Sequence, residues 1–99
     1  MATHFEYEVE NDIELAEPKK YKVLLLNDNY STMDFVVEIL KKVFRKTEDE
    51  ATQIMLSVHE NGKGLCGIYS HEIAATKVAQ VKQSARKAQF PLKAVMEEE

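Results

Sequence analysis

Residues 21–40 read "YKVLLLNDNYSTMDFVVEIL", and this stretch predicts how the fold begins. The apolar run, which we place at residues 19–27, indicates a strand that is covered on at least one face. Ser31 has the features of a helix N-cap, with Asp34 three residues later, and apolar residues then recur at helical spacing to about Lys46. Asn27-Asp28-Asn29 lies between the two elements. A turn does not need three short polar side chains, so this junction either ends the strand or binds something.

The rest of the chain predicts two more helices and two more strands. Thr47-Glu48-Asp49-Glu50 is a capping box that opens a helix, and Asn61-Gly62 is a stop signal that ends it. A strand at 62–70 leads to Ser70, the N-cap of a helix over about 71–88, and a last strand covers 89–96 with Pro91 near its start. The predicted class is α+β in the order β-α-α-β-α-β, with three helices packed on a three-stranded antiparallel sheet. The residues predicted to face inward are Ala51, Ile54, Met55 and Val58 in the second helix, and Ile73, Ala74, Val78, Val81 and Ala85 in the third.

Charge divides the 99-residue chain into two parts. Residues 1–17 carry six of the 17 acidic residues and none of the 13 lysines and arginines, so we predict a flexible acidic extension at 1–17 and one domain at 18–99. The nearly neutral domain lacks the basic footprint of a nucleic-acid binder. The single cysteine excludes an internal disulfide framework and fits a reducing compartment. With neither an export leader nor a long apolar segment, we expect a cytoplasmic protein that does not enter a membrane.

The histidines and the cysteine give little support for either a metal site or a nucleophilic Cys-His pair. The sequence contains no CxxC, HxxxH or HExxH pattern, so no metal site is predicted. A nucleophilic pair of Cys66 and His59 would need an exposed thiol, whereas a lone cysteine in an apolar strand is usually a small core residue. Met55, Val58 and His59 share one helix face, which is ordinarily the boundary of a core. They become a binding site only if the fold brings residues 27–33 against them, and spacing cannot show that.

Two long segments add a family resemblance. "YKVLLLNDNYSTMDFVVEIL" and, at residues 51–81, "ATQIMLSVHENGKGLCGIYSHEIAATKVAQV" resemble the ClpS family, the bacterial adaptors of the Clp protease, and the similarity covers residues 18–96. The resemblance implies a monomeric adaptor without a cofactor. It would recognise N-degron proteins whose first residue is Leu, Phe, Tyr or Trp and pass them to the N-domain of a ClpA- or ClpC-type AAA+ unfoldase, which feeds ClpP.

The resemblance also implies roles for particular residues. The substrate's α-amino group would be held by the polar junction and the histidine, namely Asn27, Asp28, Asn29 and His59. The pocket for the first side chain would be formed by Ser31, Met33, Val36, Met55, Val58 and Leu92. Contact with the unfoldase would be made by Glu72 and Lys77.

The junction departs from the family pattern at three positions. Asn29 stands where the family usually has Asp, so an acceptor remains but a negative charge is lost. Ser31 and Thr32 replace the usual Thr and Pro, which keeps the hydroxyl at the first position. Two other hypotheses stay open: a small protein-protein module that does not recognise a free N-terminus, and a small enzyme that uses Cys66 and His59.

Overall fold

The order of helices and strands in a computed structural model confirms the predicted fold class. The structure describes residues 18–99, so the predicted acidic extension at 1–17 lies outside the described residues. The elements are β1 (Lys20–Leu26), α1 (Met33–Lys42), α2 (Glu48–Asn61), β2 (Lys63–Ser70), α3 (His71–Ala88) and β3 (Lys93–Glu98). Among residues 18–99, no helix combines the length and the apolar character needed to span a membrane.

The sheet is antiparallel and has the strand order β2-β1-β3, so β1 lies in the middle. Its near-continuous apolar sequence fits this position, since Val23 and Leu25 are fully buried. The β1–β2 register shifts once: Val23 pairs with Gly67 and Leu24 with Leu65, which leaves Cys66 as an extra residue in β2. Val23, Leu25 and Cys66 belong to one core cluster with residues of all three helices.

Side-chain caps position the helices. Thr47 accepts a hydrogen bond from the Glu50 amide while the Glu50 carboxylate accepts one from the Thr47 amide, which confirms the predicted capping box. Ser70 caps α3 as predicted. These bonds satisfy amide groups that the first turn of a helix leaves without a partner. They therefore fix where α2 and α3 begin.

The start and end of α1 differ from the prediction. Its N-cap is Thr32, whose Oγ1 accepts from the Phe35 amide at 3.1 Å, because the preceding Ser31 is part of a turn built by Asp28. The helix ends at Lys42 rather than near Lys46, since Arg45 adopts a positive φ of 59° and leads the chain away.

Two other predictions about the C-terminal half are wrong. The last strand begins at Lys93 rather than at 89, because Gln89 (φ 64°) and the Phe90 amide, which donates to the Ala85 carbonyl, complete the end of α3. Ile73 is half exposed instead of facing inward, whereas Ala74, Val81 and Ala85 are buried as predicted.

Candidate functional site

The loop between β1 and α1 is shaped by Asp28. Its Oδ1 accepts hydrogen bonds from the amides of Tyr30 at 2.8 Å and Ser31 at 2.6 Å, so the carboxylate bonds the backbone two and three residues ahead. The Asn27 amide donates to the carbonyl of Gly62 at 2.9 Å. That bond fastens the loop to the residue that follows α2, and it places two segments distant in sequence side by side.

Two glycines that follow α2 determine how the helix ends and how closely β2 packs against it. Gly62 ends the helix with a φ of 87° and donates its amide to the Val58 carbonyl at 3.0 Å. A Cβ on Gly64 would lie 2.7 Å from Val58 Cγ2, so β2 can approach the helix only because this residue has no side chain. Val58 is buried, Met55 is half-buried and His59 is exposed. The C-terminal half of α2 therefore places these three residues beside the loop.

A cavity of about 420 Å³ lies between the loop and α2. The structure thus brings together nine of the ten residues that the resemblance assigned to the α-amino site and the side-chain pocket. Sequence reasoning missed Tyr30 and Thr32, which also line the cavity. The full lining is Asn27, Asp28, Asn29, Tyr30, Ser31, Thr32, Met33, Val36, Met55, Val58 and His59.

Two of the residues that line the cavity, Asp28 and Ser31, each carry a buried side-chain oxygen. Asp28 Oδ2 and Ser31 Oγ are shielded from solvent, and neither forms a hydrogen bond within residues 18–99. Burial raises the pKa of Asp28, but the hydrogen bonds from the Ser31 and Tyr30 amides outweigh it, so the pKa lies below the ordinary value of an aspartate. The carboxylate is therefore ionised at neutral pH. A buried, charged acceptor without a donor is costly, and a cationic donor would complete it.

The rest of the cavity wall is divided between polar and apolar groups. Asn27 and His59 are exposed and line the cavity. The Asn27 side chain offers its carbonyl oxygen as an acceptor, and the His59 imidazole offers a ring nitrogen when it is neutral. Val36, Met55 and Val58 supply apolar surface, and Met33 contributes a flexible side chain that is 49% exposed. Methionine adapts its shape to different apolar groups. The cavity can therefore bind a ligand in which a cationic group that only donates hydrogen bonds lies close to an apolar group.

Leu92 lies elsewhere. It is buried and lines a second cavity of about 570 Å³, and it is not among the residues that line the first. The second cavity is formed between α3 and the start of β3. Its lining residues are Val78, Lys82, Ala85, Arg86, Phe90, Pro91, Leu92, Lys93 and Ala94.

The two residues that the resemblance assigned to unfoldase contact, Glu72 and Lys77, differ in their exposure and in their contacts within the domain. Glu72 is exposed in the first turn of α3. Lys77 is half-buried: its Nζ donates to the Val43 carbonyl at 2.7 Å and lies 5.7 Å from the centre of the Tyr69 ring. Lys77 therefore ties α3 to the end of α1, which gives it a structural role whatever else it contacts.

The enzyme hypothesis requires a reactive Cys66, and the structure argues against one. The thiol is fully buried in the core, and burial raises its pKa to about 12, so it is protonated at neutral pH. The thiol donates a hydrogen bond to the Gly64 carbonyl at 3.7 Å. Residues 18–99 also contain no group of three or more His, Cys, Asp or Glu side chains arranged to hold a metal ion.

Comparison with known proteins identifies the family. A family model described as "ATP-dependent Clp protease adaptor protein ClpS" matches residues 16–95. The ATP-dependent Clp protease adapter protein ClpS of Wolinella succinogenes is 55% identical over 94 residues, covering 95% of this chain and 92% of its own. The protein of the same name from Shewanella pealeana is 56% identical over 95 residues, covering 96% and 91%.

A solved structure shows the same fold. Agrobacterium tumefaciens ClpS2 bound to L-phenylalaninamide superposes with a TM-score of 0.82 at 38% identity, covering 84% of this chain and all of that one. The relatives are named as adaptors rather than enzymes. With a family match over most of its length, relatives above 50% identity and a shared fold, the chain belongs to the ClpS family of Clp protease adaptor proteins.

Proposed function

We propose that the chain binds the free α-amino group and the hydrophobic first side chain of N-degron proteins. The observation that carries this proposal is Asp28, a cavity-lining carboxylate whose buried Oδ2 has no hydrogen-bond donor within residues 18–99 and which shares the cavity with apolar Val36, Met55 and Val58. An α-ammonium group is a donor-only cation, and the first side chain is attached to the same carbon atom. One ligand would therefore satisfy the carboxylate and fill the apolar part at once.

The solved relative supports the choice of ligand class. L-phenylalaninamide, bound by Agrobacterium ClpS2, carries a free α-amino group and a benzyl side chain, while its amide stands in for the first peptide bond. In this chain Asp28 would accept from the ammonium group inside the cavity, and Asn27 and His59 would accept from it at the rim. Asn29 offers an uncharged acceptor there.

The expected affinity is micromolar. Each charge-assisted hydrogen bond contributes about 1.5–3 kcal/mol and burial of a Leu or Phe side chain contributes roughly 1.5–3 kcal/mol. Part of this gain is offset by the loss of translational and rotational freedom on association. A micromolar Kd corresponds to a net free energy of about −8 kcal/mol. Leu, Phe, Tyr and Trp are the first residues we expect to bind, because Met33 and Met55 can adapt to branched and aromatic groups alike.

We further propose that the captured protein is delivered to a ClpA- or ClpC-type unfoldase for degradation by ClpP in the cytoplasm. Exposed Glu72 is a surface residue available for contact with the unfoldase N-domain, and the bond from Lys77 to Val43 holds its helix in place. The acidic residues 1–17 would act in delivery rather than in capture. Removing them should leave peptide affinity unchanged and slow degradation, and a large loss of affinity would mean that they form part of the pocket.

Fluorescence anisotropy with labelled peptides tests the binding proposal. We expect binding by peptides that begin with Phe or Leu, and none by the same peptides after N-acetylation or by peptides that begin with Lys or Gly. Acetylation removes the charge and the donors while leaving the side chain unchanged. Equal binding of free and acetylated peptides would instead support a protein-protein module that does not recognise a free N-terminus.

A further inference from the structure

The face of the sheet that points away from the helices carries a group of apolar side chains. Side chains alternate along a strand, so Leu24 and Leu26 point away from the core that contains Val23 and Leu25. Leu24 pairs with Leu65 in β2 and with Val95 in β3, and Ile68 pairs with Lys22 on the same face. We call these residues, Leu24, Leu26, Leu65, Ile68 and Val95, the outer apolar patch.

The outer apolar patch is open in the part of the chain that the structure describes. Leu65 is 45% exposed and Ile68 is 43% exposed, which is high for large apolar side chains that lie next to one another. Leu24 is 7% exposed yet is not part of the core cluster, so the surrounding side chains of this face bury it. The patch is therefore a continuous apolar surface rather than a single exposed residue.

Lysines surround the outer apolar patch. Lys63 and Lys93 both pair with Leu26 across the strands, and Lys22 pairs with Ile68. Glu97, opposite Lys22, is the one acidic side chain paired on this face in the described part of the chain. Within residues 18–99 none of the three lysines forms a salt bridge. An apolar surface with a cationic rim suits an occupant that combines apolar and acidic side chains.

The chain itself contains such an occupant just before the sheet. Residues 5–15 read "FEYEVENDIEL", in which every even position is acidic and the odd positions, apart from Asn11, are apolar. In an extended segment this alternation places the apolar side chains on one face and the acids on the other. The segment ends five residues before Lys20, where β1 begins. Extended chain spans about 3.3 Å per residue and strands lie about 4.8 Å apart, so the segment can reach across all three strands.

We propose that residues 5–15 dock on the outer apolar patch of their own chain. Phe5, Tyr7 and Val9 pack against the patch, and the long side chains of the surrounding lysines reach up to the acidic groups, as lysines do when their stems cover apolar surface. Lys82 and Arg86 of the second cavity are also cationic, but that cavity lies between α3 and the start of β3, on the helical side of the sheet, and not on the outer face with the patch. Connection and charge together favour the patch.

A spin label on the N-terminal segment of the full chain tests this placement. The variant Asn11→Cys provides the attachment site, and Cys66 does not compete for the label because it is fully buried and its pKa is about 12. We expect selective broadening of the amide signals of Leu65, Ile68 and Val95, while signals of Ser84 and Lys87 on the helical side keep their intensity. High salt should reduce the broadening, because ions screen attraction between exposed charges.

Two matched variants make the result decisive. The change of Phe5, Tyr7 and Val9 to Ser in the labelled chain should restore the patch signals to the intensity of the unlabelled protein. Lys63→Glu should weaken the broadening without moving it. Unchanged signals across the patch, equal broadening on both faces, or broadening centred on Lys82 and Arg86 would overturn the proposal.

Discussion

Asp28→Asn is the substitution that most specifically removes the negative charge from the proposed amine site. An asparagine keeps Oδ1, which accepts from the Tyr30 and Ser31 amides, so the turn between β1 and α1 should persist. It replaces Oδ2, the oxygen without a partner, by an NH₂ group that can only donate. That group would face the donors of an incoming ammonium.

The expected loss of affinity follows from one charge-assisted hydrogen bond. Such a bond contributes about 1.5–3 kcal/mol, so the Kd for a Phe-initiated peptide should rise roughly 10- to 150-fold. The free energy of unfolding should change by no more than about 1–2 kcal/mol, because both amide hydrogen bonds keep an acceptor. Since amide hydrogen bonds hold the pKa of Asp28 below its ordinary value, the wild-type carboxylate stays ionised through the neutral range and the difference in Kd should be constant there.

Anisotropy titrations and chemical denaturation measure the two effects separately. Asp34→Asn is the matched control: it makes the same chemical change in the first turn of α1, at an exposed residue that does not line the cavity. We expect this control to bind like the wild type. If Asp28→Asn bound within twofold of the wild type, or if both variants lost affinity equally, the role assigned to Asp28 would be wrong.

Three further predictions concern other parts of the chain. Gly64→Ala should lower the free energy of unfolding by about 1–3 kcal/mol and weaken peptide binding, because the new methyl group forces α2 away from β2; an unchanged denaturation midpoint would contradict this close contact. Glu50→Gln should lower the Tm at neutral pH, because hydrogen bonds from Thr47 lower the pKa of Glu50 in the folded protein. The stability that these bonds give is fully present above pH 4.5, the ordinary pKa, and is lost as the pH falls through the lowered pKa, so a Tm difference between wild type and variant that persisted in acid would argue against it. Lys77→Met should lower the free energy of unfolding by about 1.5–3 kcal/mol, since the Val43 carbonyl loses a charged donor, and should leave the peptide affinity of the folded protein unchanged. Chemical denaturation measures the first effect and a peptide titration of the folded protein measures the second.

Most of the fold was predictable from local signals. The apolar run of β1, the Thr47 capping box and the Ser70 cap each depend on residues adjacent in sequence, and all three are confirmed. The errors arise where the backbone follows contacts that spacing does not reveal. Asp28 takes the Ser31 amide into its turn, which moves the N-cap to Thr32.

The site was less predictable, because it joins two segments that are distant in the sequence. Neither spacing nor composition shows that the Asn27 amide bonds the Gly62 carbonyl and so brings the loop against α2. The family resemblance supplied that juxtaposition for all its assigned cavity residues except Leu92, which lines the other cavity. Tyr30 gave no signal, since an exposed tyrosine in a loop has no pattern that distinguishes it.

The most direct test of the central claim is an amide chemical-shift titration of the full chain with L-phenylalaninamide. The proposed site predicts saturable shifts at Asp28, Ser31, Met33 and His59, and none around Lys82 and Arg86 in the second cavity. N-acetyl-L-phenylalaninamide, which has the same side chain but no ammonium group, should leave all of these signals in place. Shifts confined to the second cavity, or identical shifts with the acetylated compound, would contradict the assignment of the first cavity as a site for a free N-terminus.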